Sequence, residues 1–447
     1  MLANFFKLQE NQTTFRTEIL AGLTTFLTMA YIIFVQPAVL STDFYGNPTG
    51  LNFNAVLLAT CIASAAASIF MGLYAQYPIA LAPGMGENFF FVSVILALSS
   101  LGFQNAWQVA LGIVFYSGIL FLLLSIFKVR AAIIDAVSPS MRNGIAVGIG
   151  LFIAFIGLRN GGIVIGKTGT LLGINTQILS PDVAVFFFGL LLTAVLRVRR
   201  IRGAILFGIL GSAILALFLG QIKLPPSLFG LPSFSQSAFL KMDLFNALNW
   251  SCLPFIIIFT FMAVFDTVGT LIGVAEQAGF IKNNHLPRAD KVLVVDSAAS
   301  VLGAGLGTST VTAYIESVTG VEYGGRTGLT SITAGLLFIL ALFFCPLVGM
   351  IANYPPITAP ALIIVGAMMI QNVSKIKWTD YDECIPAFLT MIGIPMMYSI
   401  ADGLAFGLIT YPLIKFLSGK GKDVRWLMYV LALVLLLYFI LFRSKLH

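Results

Sequence analysis

Four polar residues interrupt otherwise apolar stretches of this 447-residue chain: Asp266, Glu316, Glu87 and Asn88. Asp266 lies near the middle of FIIIFTFMAVFDTVGTLIGV, whereas Glu316 and the Glu87–Asn88 pair each follow a glycine-containing stretch. Charged side chains at membrane depth are costly and usually functional. We therefore interpret these residues as parts of a binding site. The alternative for Asp266 and Glu316 is that they form a buried pair that holds helices together. Buried acids without a lysine partner stabilise helix packing poorly, however.

Carboxyl groups in such a site have two uses. They accept hydrogen bonds from the ring N–H and amino groups of a planar heterocycle, and a carboxyl group shielded from water takes up a proton near neutral pH. These properties favour a proton-coupled symporter, in which the candidates that carry the proton are Asp266, Glu316 and Glu87. Asp296 is a weaker candidate that caps a helix or bonds a neighbour. Aromatic rings near the acids are suited to stack on a heterocycle: Phe89, Phe90, Phe91, Phe265 and Tyr314.

The composition places these acids in a membrane domain. Hydrophobic residues make up 59% of the chain, charged residues 10%, and the mean hydropathy is +0.98. Soluble domains carry about 25% charged residues, so the chain has too little charge to cover a soluble surface. The net charge of +7 sits in short Lys/Arg clusters between apolar runs, which argues against a nucleic-acid partner and for cytoplasmic loops. Residues 1–18 have no apolar h-region or small-residue cleavage site, so we predict no signal peptide and expect the first apolar run to direct insertion.

Apolar runs recur along the whole chain, and a helix that crosses a bilayer needs about 20 such residues. The first set lies at about 18–40, 54–76, 83–99, 107–127, 131–157, 182–197 and 203–220. The second set lies at about 250–275, 291–306, 313–323, 328–351, 358–373, 385–400 and 402–417. We therefore predict an all-α polytopic protein of about 14 transmembrane segments.

The basic clusters orient these segments. They follow even-numbered segments, for example at Arg197–Arg202, so that side is predicted to be cytoplasmic together with the N-terminus. The location is then the cell inner (plasma) membrane, in a multi-pass arrangement. Arg159 and Lys167 on the other side are exceptions. A last apolar run at 426–442 is predicted to be peripheral or re-entrant, unless an earlier segment is miscounted.

The third segment of each set is interrupted. Residues 77–93 contain Pro83 and two glycines, and the run 303–328 is rich in glycine and threonine, which favours extended backbone around 307–312. Such backbone is tolerated at membrane depth only where protein or a cavity covers it. Corresponding interruptions in two halves indicate a transporter binding site. Because each half has an odd number of segments, we infer a 7+7 inverted repeat with two broken segments, each a strand plus a half-helix.

The half-helices predicted at 83–93 and 313–323 would present unpaired N–H groups and the positive end of a dipole to a ligand. Glu316 is predicted one turn into the second half-helix. Gly84 and Gly86 allow a close backbone approach. The alternative is that these glycines only let helices pack closely.

Three stretches resemble signature motifs of the nucleobase/cation symporter family of nucleobase/ascorbate-type transporters, in its adenine–guanine–hypoxanthine (AzgA-like) group. They are FDTVGTLIGVAEQAG, GTSTVTAYIESVTGVEYGGRTGLTS and ALAPGMGEN. The opening RTEILAGLTTFLTMAYIIFVQP is similar to the first helix of that group. The motifs occur in the expected order, and the resemblance extends over essentially the whole chain.

This resemblance implies two domains of non-contiguous chain, a core that carries the substrate and a gate, which move against each other like an elevator in a homodimer. The core would comprise 18–128 and 250–351, and the gate 129–220 and 358–442. The implied substrate-binding residues are Asp266, Glu316, Asn88 and the backbone amides around Gly86 and Ile315.

One position departs from the pattern of the group. Purine permeases of this type commonly carry an apolar residue where this chain has Glu87, and a small residue where it has Phe89. Glu87 therefore joins the substrate-binding candidates. The expected function is import of purine nucleobases by proton symport, without a cofactor, and the choice among adenine, guanine, hypoxanthine, xanthine and uracil stays open.

Other classes fit less well. An anion transporter of the sulfate or bicarbonate type would share the architecture, but unneutralised acids repel an anion. An intramembrane enzyme or a metal site lacks a histidine at depth, because His285 and His447 fall outside the apolar runs. The four cysteines lack metal-ligand spacing, which favours a role as small buried hydrophobes. A channel is disfavoured by the paired broken helices.

Overall fold

The computed structural model describes residues 2–127, 137–166, 172–177, 179–232, 237–280 and 288–441. The first α-helices are α1 (Leu2–Phe5), α2 (Phe15–Met29), α3 (Ile32–Ser41), α4 (Phe53–Phe70), α5 (Met85–Ser100), α6 (Ala106–Ile126), α7 (Pro139–Asn160), α8 (Pro181–Val198) and α9 (Ala204–Phe218). The later ones are α10 (Leu244–Ala247), α11 (Leu253–Ala278), α12 (Ala289–Leu306), α13 (Ser317–Tyr323), α14 (Gly328–Ala341), α15 (Cys345–Ala352), α16 (Pro355–Ile370), α17 (Tyr381–Met396), α18 (Ile400–Leu417) and α19 (Trp426–Leu441). The described residues also form four short strands: β1 (Leu81–Pro83), β2 (Val164–Gly166), β3 (Leu172–Ile174) and β4 (Val311–Ala313).

The described chain is a helical membrane domain. Eight helical stretches within it are long and apolar enough to cross a membrane, and α2 with α3 counts as one of them. Further apolar helices are shorter, among them α5, α9 and α14. The cysteines Cys61, Cys252, Cys345 and Cys384 are buried and free.

Most predicted segments coincide with helices, and two do not. The run predicted at 18–40 is broken at Ala30–Tyr31 between α2 and α3, and the run 328–351 divides into α14 and α15. The start of the run 131–157, the predicted boundary at 128 and 129, Lys167 and the end of the last run at 442 lie outside the described residues.

The helices pack in two groups. In one group α7 contacts α16 and α17, α8 packs on α9 and α16, and α18 lies between α17 and α19. In the other, α4 and α2 pack on α14, α6 packs on α11 and α12, and α13 contacts α2. Small residues allow the closest approaches, and a Cβ at Gly150 of α7 would lie 2.9 Å from the carbonyl oxygen of Gly366 in α16.

A two-stranded crossing joins the two halves of the chain in the second group. β1 pairs antiparallel with β4, with Leu81 opposite Ala313 and Pro83 opposite Val311. The amide of Gly84 donates to the Thr310 carbonyl (3.0 Å), and the amide of Tyr314 donates to the Ala80 carbonyl (3.0 Å). The extended backbone therefore satisfies its own polar groups at a depth where water is scarce.

A buried acid ties the first long helix to the second half. Glu18 of α2 has no exposed surface, and its carboxylate accepts from the amide of Arg326 (2.9 Å) and the hydroxyl of Thr330 (2.6 Å). These donors surround the start of α14, where free N–H groups favour a negative charge. The contact fixes α2 beside the crossing.

Candidate functional site

The two broken segments bring their half-helices to one place. β1 leads through Gly84 into α5, and β4 leads through Tyr314 into α13, so both helices begin beside the crossing. Glu316 occupies the position just before α13 rather than one turn inside it, which corrects our prediction. The helix starts later than predicted because β4 extends to Ala313 and a turn follows it.

A cavity of about 880 Å³ opens between the two helix groups at this point. Five of the predicted site residues line it: Gly86, Glu87, Asp266, Ile315 and Glu316. From the other group, α7 and α16 contribute Arg142, Ile149, Met368 and Met369. The sequence-predicted acids thus meet in one space, although they come from three separate parts of the chain.

The sixth predicted residue, Asn88, lies behind this cavity. It is fully buried, and its side-chain oxygen accepts a hydrogen bond from the Ser309 hydroxyl. Gln36 donates to the same Ser309 oxygen (3.2 Å) and to the Thr308 oxygen (2.9 Å). In the described structure Asn88 therefore supports the crossing from its packed side and does not line the cavity.

The two acids singled out first differ in their partners. The Asp266 side chain is exposed to the cavity, and among the described residues none donates a hydrogen bond to it. Glu316 is half-buried and accepts from the Tyr31 hydroxyl (2.8 Å). Both carboxylates keep acceptor capacity directed at the cavity, as a donor-rich ligand requires.

Glu87 is surrounded differently from these two. Its side chain is 2% exposed, although the residue borders the cavity on the first turn of α5. The carboxylate lies against the backbone of Gly84, where an added Cβ would be 2.8 Å from the Glu87 carboxyl carbon. Gly84 is therefore needed at this position so that the acid can fold back over the helix start.

Backbone donors complete the site. Gly86 lies in the first turn of α5, whose N–H groups have no partner within the helix. Ile315 stands between β4 and α13 with its side chain 42% exposed at the cavity. Donors therefore face the same space as the acceptors of Asp266 and Glu316, which suits a ligand that carries both kinds of group.

The aromatic prediction is met in part. Phe265 and Tyr314 line the cavity, and the Tyr314 hydroxyl donates to the Pro83 carbonyl (2.5 Å), which fixes that ring at the crossing. The rings of Phe89, Phe90 and Phe91 are buried in the core instead. They lie one turn further along α5 than Gly86 and Glu87. Because α5 is apolar on every side, the sequence pattern did not indicate which rings would face the cavity.

Sequence reasoning missed Tyr31, Arg142 and Arg197. Tyr31 stands at the break between α2 and α3, and it reaches Glu316 because that break turns the chain toward α13. Arg142 and Arg197 line the cavity from the opposite helix group. The spacing of residues within one segment does not predict contacts with residues that are distant in the chain, as these three are from the acids.

The two ends of the cavity region differ. Toward one end the lining includes Arg197, Ser374 and Lys375. On the same side, Arg202 lies 4.6 Å above the Tyr323 ring, and Thr13 near the N-terminus donates to the Gly324 carbonyl. The cavity therefore opens toward the side that carries the basic clusters.

At the other end, aromatic rings from both helix groups close the interface. Phe44, which follows α3, packs against Phe89 (6.3 Å between centroids) and Phe152 (5.4 Å). Arg159 donates to the Phe44 carbonyl and to the Tyr398 hydroxyl (2.7 Å). Arg159, an exception to the charge rule, thus has local partners that hold the two groups together.

Comparison with known proteins agrees with these observations. The sequence profile of the Permease family (Xan_ur_permease) matches residues 16–435. The guanine/hypoxanthine permease PbuG of Bacillus subtilis is 43% identical over 99% of this chain and 100% of its own length. The adenine permease AdeP of Escherichia coli is 40% identical over 98% of this chain and 95% of its own length.

A solved structure shows the same architecture at low sequence identity. The transmembrane domain of a cyanobacterial bicarbonate transporter, BicA, aligns with a TM-score of 0.63 and 13% identity, covering 88% of this chain and 97% of that domain. At this identity the likeness concerns the fold alone. It confirms the predicted fold class, a 7+7 arrangement of core and gate with broken segments.

Proposed function

The chain belongs to the Permease family of nucleobase transporters, and from this membership we propose that it imports purine nucleobases across the inner membrane by proton symport. The observation that carries the proposal is the cavity in which Asp266 and Glu316 face the starts of two half-helices, with Gly86 and Ile315 in its lining. A purine presents donors and acceptors along its edges in one plane. The carboxylates would accept from its N–H groups, while the amides near Gly86 and Ile315 would donate to its ring nitrogens or carbonyl oxygen.

The acids also disfavour an anion as cargo. Asp266, Glu316 and Glu87 all border the cavity, and carboxylates without a cation would repel a sulfate or bicarbonate ion. The fold shared with a bicarbonate transporter does not change this argument, because function follows from the site. A neutral heterocycle rich in N–H groups is the ligand that this site would hold best.

An elevator-like movement of the core would carry this site. We assign the core to 18–128 and 250–351, and the gate to 129–220 and 358–442. Support comes from the position of the cavity between the two helix groups, with most acids on one of them. The Arg159 contacts would close the outer face in this state, and they would have to separate when the site turns outward.

Orientation and assembly follow the same reasoning. Thr13 donates to the carbonyl of Gly324, next to Tyr323 and Arg202 on the side of the basic clusters, so we place the N-terminal segment in the cytoplasm. A homodimer is proposed because the family resemblance implies one. Cross-linking of the full-length protein in native membranes would test this assembly, and a band of monomer size alone would contradict it.

The test of function is uptake of labelled bases in cells that lack their own purine and pyrimidine permeases. We expect saturable uptake of a purine, and competition by adenine, guanine, hypoxanthine, xanthine and uracil would rank the substrates. A protonophore should abolish accumulation. Absence of uptake of every base by protein that is inserted in the membrane would overturn the proposal, and uptake of xanthine or uracil alone would redefine the substrate.

Substitution of the two cavity acids tests the site itself. Asp266→Ala and Glu316→Ala should each lower uptake by about a hundredfold or more, because a buried partner of the ligand is left unpaired. The matched control is Glu322→Ala, since Glu322 lies on α13 but is exposed outside the cavity and bonds Gln277 (3.3 Å). Normal uptake by either cavity variant, at an equal amount of membrane protein, would return that acid to a structural role.

A further inference from the structure

Among the described residues three acids border the cavity, and of these Glu87 alone is shielded from the space that the ligand would fill. Its side chain is 2% exposed, whereas Asp266 is exposed and Glu316 is half-buried. Glu316 also has the Tyr31 hydroxyl as a donor at 2.8 Å. The Glu87 carboxyl group accepts from its own backbone amide, and in the described part of the chain no other residue donates a hydrogen bond to it.

The charges around Glu87 are mostly of its own sign. α11 presents Asp266 and α12 presents Asp296, while the turn after β4 presents Tyr314. The neighbouring helices α3 and α6 contain no acidic or basic residue. α18 carries Asp402 near its start and Lys415 near its end.

From the gate side, α7 presents Arg142 to the same cavity, where its guanidinium group lies 5.8 Å from the centre of the Phe265 ring. This cation and Asp266 both line the cavity. Arg197 lies near Glu316 in the same cavity, whereas the Glu87 carboxyl group is folded against Gly84 at the start of α5.

These surroundings favour different protonation states in the three acids. A carboxylate that faces an open cavity or receives a hydroxyl donor loses less solvation than a shielded one, and Asp266 and Glu316 are placed in this way. A shielded carboxyl group that has two acids nearby, and whose donor is its own backbone amide alone, favours the neutral acid more than one that is open to the cavity. Pairs of acids whose environments favour opposite protonation states commonly divide the roles at a site.

We infer that Glu87 is the group that takes up and releases the coupled proton, while Asp266 and Glu316 stay carboxylates and hold the ligand. A proton from the outer side would bind to the Glu87 carboxylate and form the carboxylic acid. The core would then move with a neutral Glu87 beside the ligand, and the acid would return the proton to cytoplasmic water. This inference rests on the proposed function, because it concerns the same site.

The experiment separates coupling from binding in liposomes that contain the purified full-length protein. Exchange of labelled against unlabelled purine needs no net proton movement, whereas accumulation driven by a pH gradient does. Glu87→Gln keeps the shape of the neutral acid but cannot release a proton. We expect its gradient-driven accumulation to fall at least about tenfold more than its exchange rate.

Two further variants keep the outcome decisive. Asp266→Asn should lower exchange and accumulation together, because it alters ligand binding. If Glu87→Gln is poorly folded, Glu87→Ala is measured in the same two assays, and it has to show the same split between them. Accumulation by a Glu87 variant in proportion to its exchange would overturn the inference. If the wild-type protein exchanges no base at all, the proposed function fails and the inference fails with it.

Discussion

The strand crossing has a packed side and a cavity side, and acids on the two sides differ in the hydrogen bonds that they receive from the protein. On the packed side, Asp296 has no exposed surface and is fully engaged: one carboxylate oxygen accepts from the Ala313 amide (2.7 Å), and the other from the Thr267 hydroxyl (2.5 Å). On the cavity side, Asp266 faces open space and, among the described residues, receives no hydrogen bond. The same residue type is thus provided with donors in one place and left without them in the other.

This difference teaches how to interpret an acid at membrane depth. A carboxylate that accepts hydrogen bonds from a backbone amide and a hydroxyl has a structural role, because the protein itself satisfies its hydrogen-bonding capacity. A carboxylate that faces a cavity without donors is available to a ligand or a proton. Depth alone does not separate the two, since Asp296 and Asp266 lie on adjacent helices that contact the same strand, β4.

The largest expected effect comes from removal of the acid on the packed side. Asp296→Ala leaves the buried Ala313 amide and the Thr267 hydroxyl without this acceptor, and each such group costs about 1–3 kcal/mol. We expect a marked loss of folded protein and a clear fall in the melting temperature in detergent. Asp266→Ala should leave the melting temperature nearly unchanged while it abolishes uptake. Equal stability of the two variants would break the comparison.

The part of this arrangement that the sequence predicts is local. The β-branched run before Tyr314 predicts extended backbone, and the structure has β4 there. The acids on the half-helices and on α11 are visible because charge is rare in apolar segments. The start of α15 was also predictable, since Pro346 at its first turn is a helix-start signal that our single run of 328–351 passed over.

The rest depends on contacts between distant parts of the chain. The register that sets Leu81 opposite Ala313 joins residues from the two halves, and no spacing within either half specifies it. The turn at Ala30–Tyr31 contains neither proline nor glycine, so no helix-breaking residue in the sequence predicts it. For this reason Tyr31 was missed, and so was the difference in burial between Glu87 and Asp266.

The intermediate effect concerns the one hydroxyl that the protein supplies to a cavity acid. Tyr31→Phe removes the donor to Glu316, and a hydrogen bond to a charged group is worth about 1.5–3 kcal/mol. If Glu316 is held in position for the ligand by this bond, the apparent affinity for the purine should fall by about tenfold or more, with little change in the amount of membrane protein. The measurement is the concentration dependence of uptake.

The control for Tyr31→Phe is Tyr77→Phe, because Tyr77 is also buried, yet it lies outside the cavity beside Phe280 (5.3 Å between ring centroids). An unchanged affinity in Tyr31→Phe would show that Glu316 needs no donor from the protein. Glu316 would then resemble Asp266 more closely than the geometry indicates.

The smallest expected effect tests the packed side by a single hydroxyl. Thr267→Val keeps the shape of the side chain but removes the donor to one oxygen of Asp296, while the Ala313 amide still serves the other. We expect a loss of about 1 kcal/mol in stability, read as a small fall in melting temperature, with uptake largely retained. Thr260→Val on the same helix is the matched control. That hydroxyl bonds the Ile256 carbonyl of its own helix (2.8 Å) and lies 3.4 Å from the Ser117 carbonyl of α6, and among the described residues no acid accepts from it. A loss of uptake in Thr267→Val without a loss of stability would mean that Asp296 takes part in transport, and the division between the packed and cavity sides would then fail.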